Sequence, residues 1–265
     1  MEILAYILSF FIGISLSMLG SGGTILTVPL LVYLLHVSPV YATHYSMFIV
    51  GITSAIGVLI RIKDQKPDFK TVISFLIPSV ISLYVTRKFI LPSIPEFVYQ
   101  SSIFTISKST LLMTLFAVVM FVAAASMIFD INQRTVSKTK TDVAQQNSPA
   151  FVLVAVFIGM LTGLLGAGGG FLIVPALIYM KKNSMHLAVS TSLLIITVNS
   201  IMGFVSDIHD TVQWKMVLGV ALVAIIGMLS GWKISLDISE NKLKRIFGYT
   251  VLFIGVLILL KEWVL

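Results

Sequence analysis

Long apolar runs alternate with short polar breaks along the whole chain. Ten runs stand out, at about 3–19, 24–35, 39–60, 70–91, 110–129, 150–165, 171–180, 185–206, 214–234 and 247–264. Most are apolar all round, so periodicity does not separate helix from strand, and length decides. A helix needs about 20 residues to cross roughly 30 Å of hydrocarbon, whereas a barrel strand is about 10 residues long and alternates. The pattern predicts an all-α polytopic membrane protein. The stretch at 131–149, DINQRTVSKTKTDVAQQNSP from Asp130, is polar and predicts a linker between a first unit at 1–130 and a second at 150–265.

The two units are related in sequence. Shifted by 146 positions, Gly13, Leu19, Gly20, Gly22, Gly23, Leu26, Val28, Pro29, Leu31 and Tyr33 fall on Gly159, Leu165, Gly166, Gly168, Gly169, Leu172, Val174, Pro175, Leu177 and Tyr179. The register continues, with Ala42, Ser46, Ser54 and Gly57 on Ala188, Ser192, Ser200 and Gly203. Leu and Val match cheaply between apolar runs; spaced Gly, Pro and Tyr do not. Five elements per half is an odd number, so the second half is expected to be inverted in the membrane.

Composition narrows the class. Hydrophobic types make up 57% of 265 residues and charged types 11%, against about 25% charged in a soluble domain. Soluble enzymes, disordered chains and disulfide scaffolds are excluded, and with no cysteine so is thiolate chemistry. The formal charge of +7 is expected to anchor cytoplasmic loops rather than bind nucleic acid. Glu2 stands where a signal peptide carries a cation, so the first run is expected to be a retained helix. Arg61, Lys63, Lys66 and Lys70, the linker cations Arg134, Lys138 and Lys140, and Lys242, Lys244 and Arg245 can all lie inside under an inverted arrangement, which places both termini outside. Lys108 runs against that bias.

Glycine clusters interrupt each half at the same place: Gly20, Ser21, Gly22, Gly23 with Thr24, and Gly166, Ala167, Gly168, Gly169, Gly170. The apolar piece after each is too short to span, which predicts a broken or re-entrant helix in each half. Irregular backbone at membrane depth is tolerated only inside protein or beside a water-filled cavity. Two helix N-termini facing such a cavity offer unpaired N–H donors and partial positive charge, a site for a small oxyanion. The alternative is that the glycines serve only close helix packing.

The next helix of each half is rich in polar residues: Thr43, His44, Ser46, Thr53 and Ser54, then Ser190, Thr191, Ser192, Thr197, Asn199 and Ser200. Ser46, Ser192 and Asn199 are candidate lining residues; hydroxyls bonded to their own helix are the alternative. His44 is a candidate for a coupling proton or, protonated, for the anion itself. Arg87 and Lys88 are expected to snorkel to the interface, and Trp214, Trp232 and Trp263 to anchor there. On this reading almost no full charge lies at membrane depth, so the substrate must be held without a buried cation, and the glycine-exposed N–H groups and helix ends supply one means.

The duplicated G-x-x-x-x-x-x-G-x-G-G…P block, the polar helix after it, FAVVMFVAAASMIF at 116–129 and ILPSIPE after the fourth run resemble the TauE/SafE sulfite-exporter family of membrane permeases. The resemblance implies a multi-pass transporter of the cytoplasmic membrane with two related halves. Its implied substrates are sulfite, thiosulfate, sulfonates such as sulfoacetate, and small organic acids. The halves are not chemically identical, since Gly51 falls on Thr197. No G-x-x-x-x-G-K-[ST] loop is present, so the drive is expected from a proton, a sodium ion or the membrane potential, with no further cofactor. The alternative is a passive anion channel of the same architecture. An intramembrane enzyme is not expected: Asp64, Asp68, Asp207 and Asp210 fall in loops, and no metal cluster or nucleophile–base pair is apparent. The expected partners are a small sulfur-containing anion or organic acid and the bilayer; oligomeric state is not legible.

Overall fold

The structure, a computed structural model, describes residues 2–20, 23–63, 65–100, 105–129, 149–181, 184–206, 212–234 and 240–263. Within them the chain is almost entirely helical. The first half holds α1 (Glu2–Leu19), α2 (Thr24–Tyr33), α3 (Pro39–Arg61), α4 (Phe69–Ser93) and α5 (Lys108–Phe129). The second holds α6 (Pro149–Leu165), α7 (Gly170–Lys181), α8 (Met185–Val205), α9 (Trp214–Ile234) and α10 (Glu240–Trp263). Helices α3, α4, α5, α8 and α9 are long and apolar enough to cross a membrane, and the chain is a multi-pass membrane protein.

Local chemistry sets several starts. Pro39 opens α3, where its missing N–H costs nothing. Asp68 caps α4, accepting from the N–H groups of Lys70 (3.2 Å) and Thr71 (3.3 Å) and from Thr71 Oγ1 (2.6 Å). Ser184 accepts from the Leu187 N–H at the start of α8. Near its end α4 widens into a π turn at Thr86–Ile90.

Two elements differ from the expectation. The loop after α4 contains an antiparallel pair, β1 (Phe97–Gln100) with β2 (Thr105–Ser107). Helix α10 begins at Glu240, not 247, and takes Lys242, Lys244 and Arg245 into its first turns. Glu, Lys, Leu and Arg are strong helix formers, so that stretch is helical although it is not apolar. The linker lies outside the described residues up to Pro149, as do Ser21, Gly22, Asp64, Asp207 and Asp210.

Helix α1 packs on α9, and α6 on α4. Helix α3 lies against α8 and also meets α9, while α8 also meets α4; α5 pairs with α10. Backbones approach closely at small residues: a Cβ at Gly13 would strike the Ala224 carbonyl of α9, and one at Gly159 the Ser79 backbone of α4. Large apolar side chains point outward, among them Phe11, Leu59, Ile77, Leu153, Leu222 and Phe253. Hydroxyls, an imidazole and a guanidinium are buried. Lipid is the solvent in which that distribution is stable.

Candidate anion site

The polar residues of α3 and α8 form a seam at the centre of the bundle. Thr43, His44, Ser46, Thr53, Ser54, Ser190, Thr191, Ser192, Asn199 and Ser200 are all buried. Many hydroxyls do bond their own helix: Thr53 donates to Ile49 O (2.7 Å), Ser54 to Val50 O (2.7 Å) and Thr197 to Leu193 O (2.7 Å). Three reach across as well. Ser46 Oγ donates to Gly166 O at 2.6 Å, Ser192 Oγ to Gly20 O at 3.2 Å, and Thr197 Oγ1 to Ser54 Oγ at 3.0 Å.

The first two bonds are reciprocal in the sequence repeat. Ser46 and Ser192 are 146 positions apart, and so are Gly20 and Gly166. Each serine of one half therefore fastens the glycine segment of the other. Each has one O–H, which it shares with its own helix, at Thr43 O (2.9 Å) and Val189 O (2.9 Å) respectively. The hydrogens are committed to carbonyls, so these serines orient the glycine segments and offer a ligand only lone pairs. In a planar trans peptide the N–H points opposite to the C=O. Tying the Gly166 carbonyl to α3 therefore turns the Ala167 N–H away from it. Ser46→Ala and Ser192→Ala should each lower stability by about 1–3 kcal/mol by orphaning a buried carbonyl. Thermal unfolding of each purified variant checks this.

Both glycine segments leave α-helical geometry. Gly20, Gly166, Gly168 and Gly169 have φ between 65° and 69°. Gly166 has no freedom to be anything else: a Cβ there would sit 2.5 Å from the Thr43 Cα, in a conformation already unfavourable for L residues. Gly168 borders the seam, its added Cβ falling 2.9 Å from Ser200 Oγ. Gly23, Thr24, Ala167 and Gly170 are buried, and Thr24 and Gly170 are the first residues of α2 and α7. Ser21 and Gly22 lie outside the described residues.

Three hydroxyl or amide donors in the seam have no hydrogen-bond partner among the described residues: Ser190 Oγ, Asn199 Nδ2 and Ser200 Oγ. Asn199 is fully buried on α8 and accepts from Ser79 Oγ of α4 at 3.1 Å. A buried polar atom left in this state costs about 1–3 kcal/mol.

Arg87 overturns the expectation that it snorkels and that the carrier has no buried cation. Its side chain is 1% exposed, while its neighbour Lys88 points outward. Nε donates to Gly163 O (3.3 Å), the NH1 nitrogen to Gly203 O (3.4 Å) and the NH2 nitrogen to Thr43 Oγ1 (3.3 Å). The same NH1 nitrogen lies 3.5 Å from His44 Nδ1, and the His44 ring stacks on Phe204 with centroids 4.5 Å apart. Gly163 and Gly203 sit in the last turns of α6 and α8, whose carbonyls carry partial negative charge and lack helical partners. The guanidinium thus neutralises two helix ends. Arg87 lies within the π turn at Thr86–Ile90, with Lys88, Phe89 and Ile90 exposed beside it.

A separate apolar cleft of about 770 Å³ between α1, α2 and α10, lined by Phe11, Leu30 and Ile254 among others, contains none of these seam residues.

Known proteins place the chain. It is 24% identical to the "Probable membrane transporter protein" of Xylella fastidiosa strain Temecula1, over 95% of this chain and 92% of the relative. It is 26% identical to the "Probable membrane transporter protein YunE" of Bacillus subtilis, over 90% of each. A Methanocaldococcus jannaschii protein with the same description is 26% identical, over 90% of this chain and 86% of the relative. No solved structure matches. The family model described as "Sulfite exporter TauE/SafE" matches residues 5–258, and with nearly the whole chain covered, the protein belongs to the TauE/SafE family of membrane transporters.

Proposed function

We propose that the protein is a secondary carrier for a small oxyanion such as sulfite, thiosulfate or an organosulfonate. It works by alternating access around a site between the two glycine segments. The observation that carries this reading is the reciprocal fastening, Ser46 to Gly166 and Ser192 to Gly20. The helix pairing follows the same exchange of halves: α1 with α9 against α6 with α4, α9 with α3 against α4 with α8, and α2 with α7, α3 with α8 and α5 with α10 across the middle. Such an exchange is what an inverted repeat produces, with the substrate site on its axis and one half rocking against the other.

The anion preference rests on donors. The N-termini of α2 and α7, at Thr24 and Gly170, present backbone N–H groups and partial positive charge. Asn199 Nδ2 and Ser200 Oγ add two side-chain donors, the second beside Gly168. A proton or sodium gradient supplies the drive, and His44, against Arg87, is the proton-carrying candidate. On this reading the cation-rich loops and the linker face the cytoplasm and both termini lie on the outer side of the cell membrane.

The test is uptake of sulfite and thiosulfate into proteoliposomes. Concentrative uptake under an imposed proton or sodium gradient is expected; flux indifferent to both gradients sinks the carrier and leaves the channel. Asn199→Ala should raise KM for the transported anion by about tenfold or more, the equivalent of one hydrogen bond to a charged group. An unchanged KM removes Asn199 from the site.

A further inference from the structure

Two arginines meet the same carbonyl in the two halves. Arg61, at the end of α3, donates through one terminal nitrogen to Ser17 O, and Arg87 donates through Nε to Gly163 O. Ser17 and Gly163 are 146 positions apart, each three residues before the first glycine of its segment. Duplication did not copy the arginines: the positions 146 residues beyond Arg61 and Arg87 hold Asp207 and Lys233. The two guanidinium groups reach equivalent carbonyls from unrelated places. They also lie far apart. Thr43, which Arg87 touches, and Arg61 stand 18 residues apart on α3, or about 27 Å, close to the thickness of the hydrocarbon layer.

Resting on the carrier reading, we propose that Arg61 and Arg87 are side-specific anion latches, one at each end of the path. Each holds its end shut on the carbonyl before a glycine segment and yields that carbonyl for an incoming oxyanion. A neutral hydroxyl suffices to hold a carbonyl here, as Ser46 and Ser192 do three residues further on. A buried guanidinium at Arg87 costs far more desolvation for the same task, which points to a need for charge. The guanidinium–carbonyl bond is an ion–dipole contact, whereas a sulfur oxyanion presents two charged oxygens to the guanidinium fork. The anion therefore wins the arginine, the helix end before the glycines loses its donor, and that end of the path loosens while the other stays latched. Arg87 is buried among partners from α3, α6 and α8, and Arg61 is half-buried, so in this conformation the Arg87 end is the more tightly closed.

The chain has no cysteine, so single reporters are clean. Ala42 and Ala188 are repeat-equivalent and fully buried. They adjoin Thr43 and Val189, the residues packed on Gly166 and Gly20. Full-length Ala42→Cys and Ala188→Cys proteins in liposomes are labelled with a membrane-impermeant maleimide from each face. Arg87→Gln should raise labelling of the first reporter about tenfold from one face only, and Arg61→Gln that of the second from the opposite face. Arg87→Lys and Arg61→Lys, which keep the charge but lose the fork, should raise the sulfite KM about tenfold with little change in kcat. Labelling that is unmoved, or moved alike for both reporters, overturns the latches, as does an unchanged KM in both lysine variants. Should Arg87→Gln fail to insert, Arg61→Gln and the lysine pair carry the test. Native protein that moves no oxyanion defeats the carrier reading whatever the labelling; native uptake with unmoved labelling defeats the latches alone.

Discussion

Gly166→Val should be among the most damaging substitutions in the chain, lowering stability by about 3–5 kcal/mol. Two costs add. A left-handed φ of 68° is worth about 1–2 kcal/mol against any L residue and more against a β-branched one. The Cβ would also strike the Thr43 backbone, and forcing a side chain into a packed core costs about 1–3 kcal/mol. Thr43 cannot yield freely, because its helix also carries Ser46, which holds the Gly166 carbonyl. The measurement is thermal unfolding in detergent. A midpoint within a few degrees of the native protein would mean that the glycine segment repacks and that its backbone geometry is not obligatory. Gly168→Ala is the control: it has the same sign of φ, but its nearest neighbours are the side chains of Ser200 and Val50, which can move.

Arg87→Ala should cost about 3–5 kcal/mol, in the range for breaking a buried charge network, and abolish transport. The Gly163 carbonyl would lose the Arg87 donor, Gly203 would keep only Ser206 Oγ, and a cavity the size of a guanidinium would open between α3, α6 and α8. Arg87→Gln retains a donor and should lose less. The paired readouts are the thermal midpoint and sulfite uptake; an alanine variant of native stability would place the Arg87 head outside the bundle and return it to the snorkelling role that its neighbour Lys88 suggests.

The helices were legible because membrane embedding is a local sum. Each run of about 20 apolar residues reports its own transfer free energy, so α1, α3, α6, α8 and α9 begin and end within one or two residues of the expected positions. The start of α10 was not, since its first turns are charged and helical at once. The strand pair after α4 was not legible either, lying in seven residues without a turn signature. For the candidate site, Ser46 and Ser192 stood out as polar positions at repeat spacing, but their role as fasteners required knowing their acceptors, 120 and 172 residues away. Arg87 was misread because TRK in an apolar run looks the same whichever cation turns inward.

What the sequence determined by itself is the solvent and the duplication: an apolar excess too large for water, ten apolar runs, and a glycine block repeated at 146 residues. What only the tertiary structure decided is partnership. It buried Arg87 on two helix ends, set each serine on the other half's glycine, and left Asn199 Nδ2 and Ser200 Oγ without a partner among the described residues. Burial accumulates residue by residue and can be read along a chain, but a hydrogen bond exists only where folding brings a donor within about 3 Å of an acceptor.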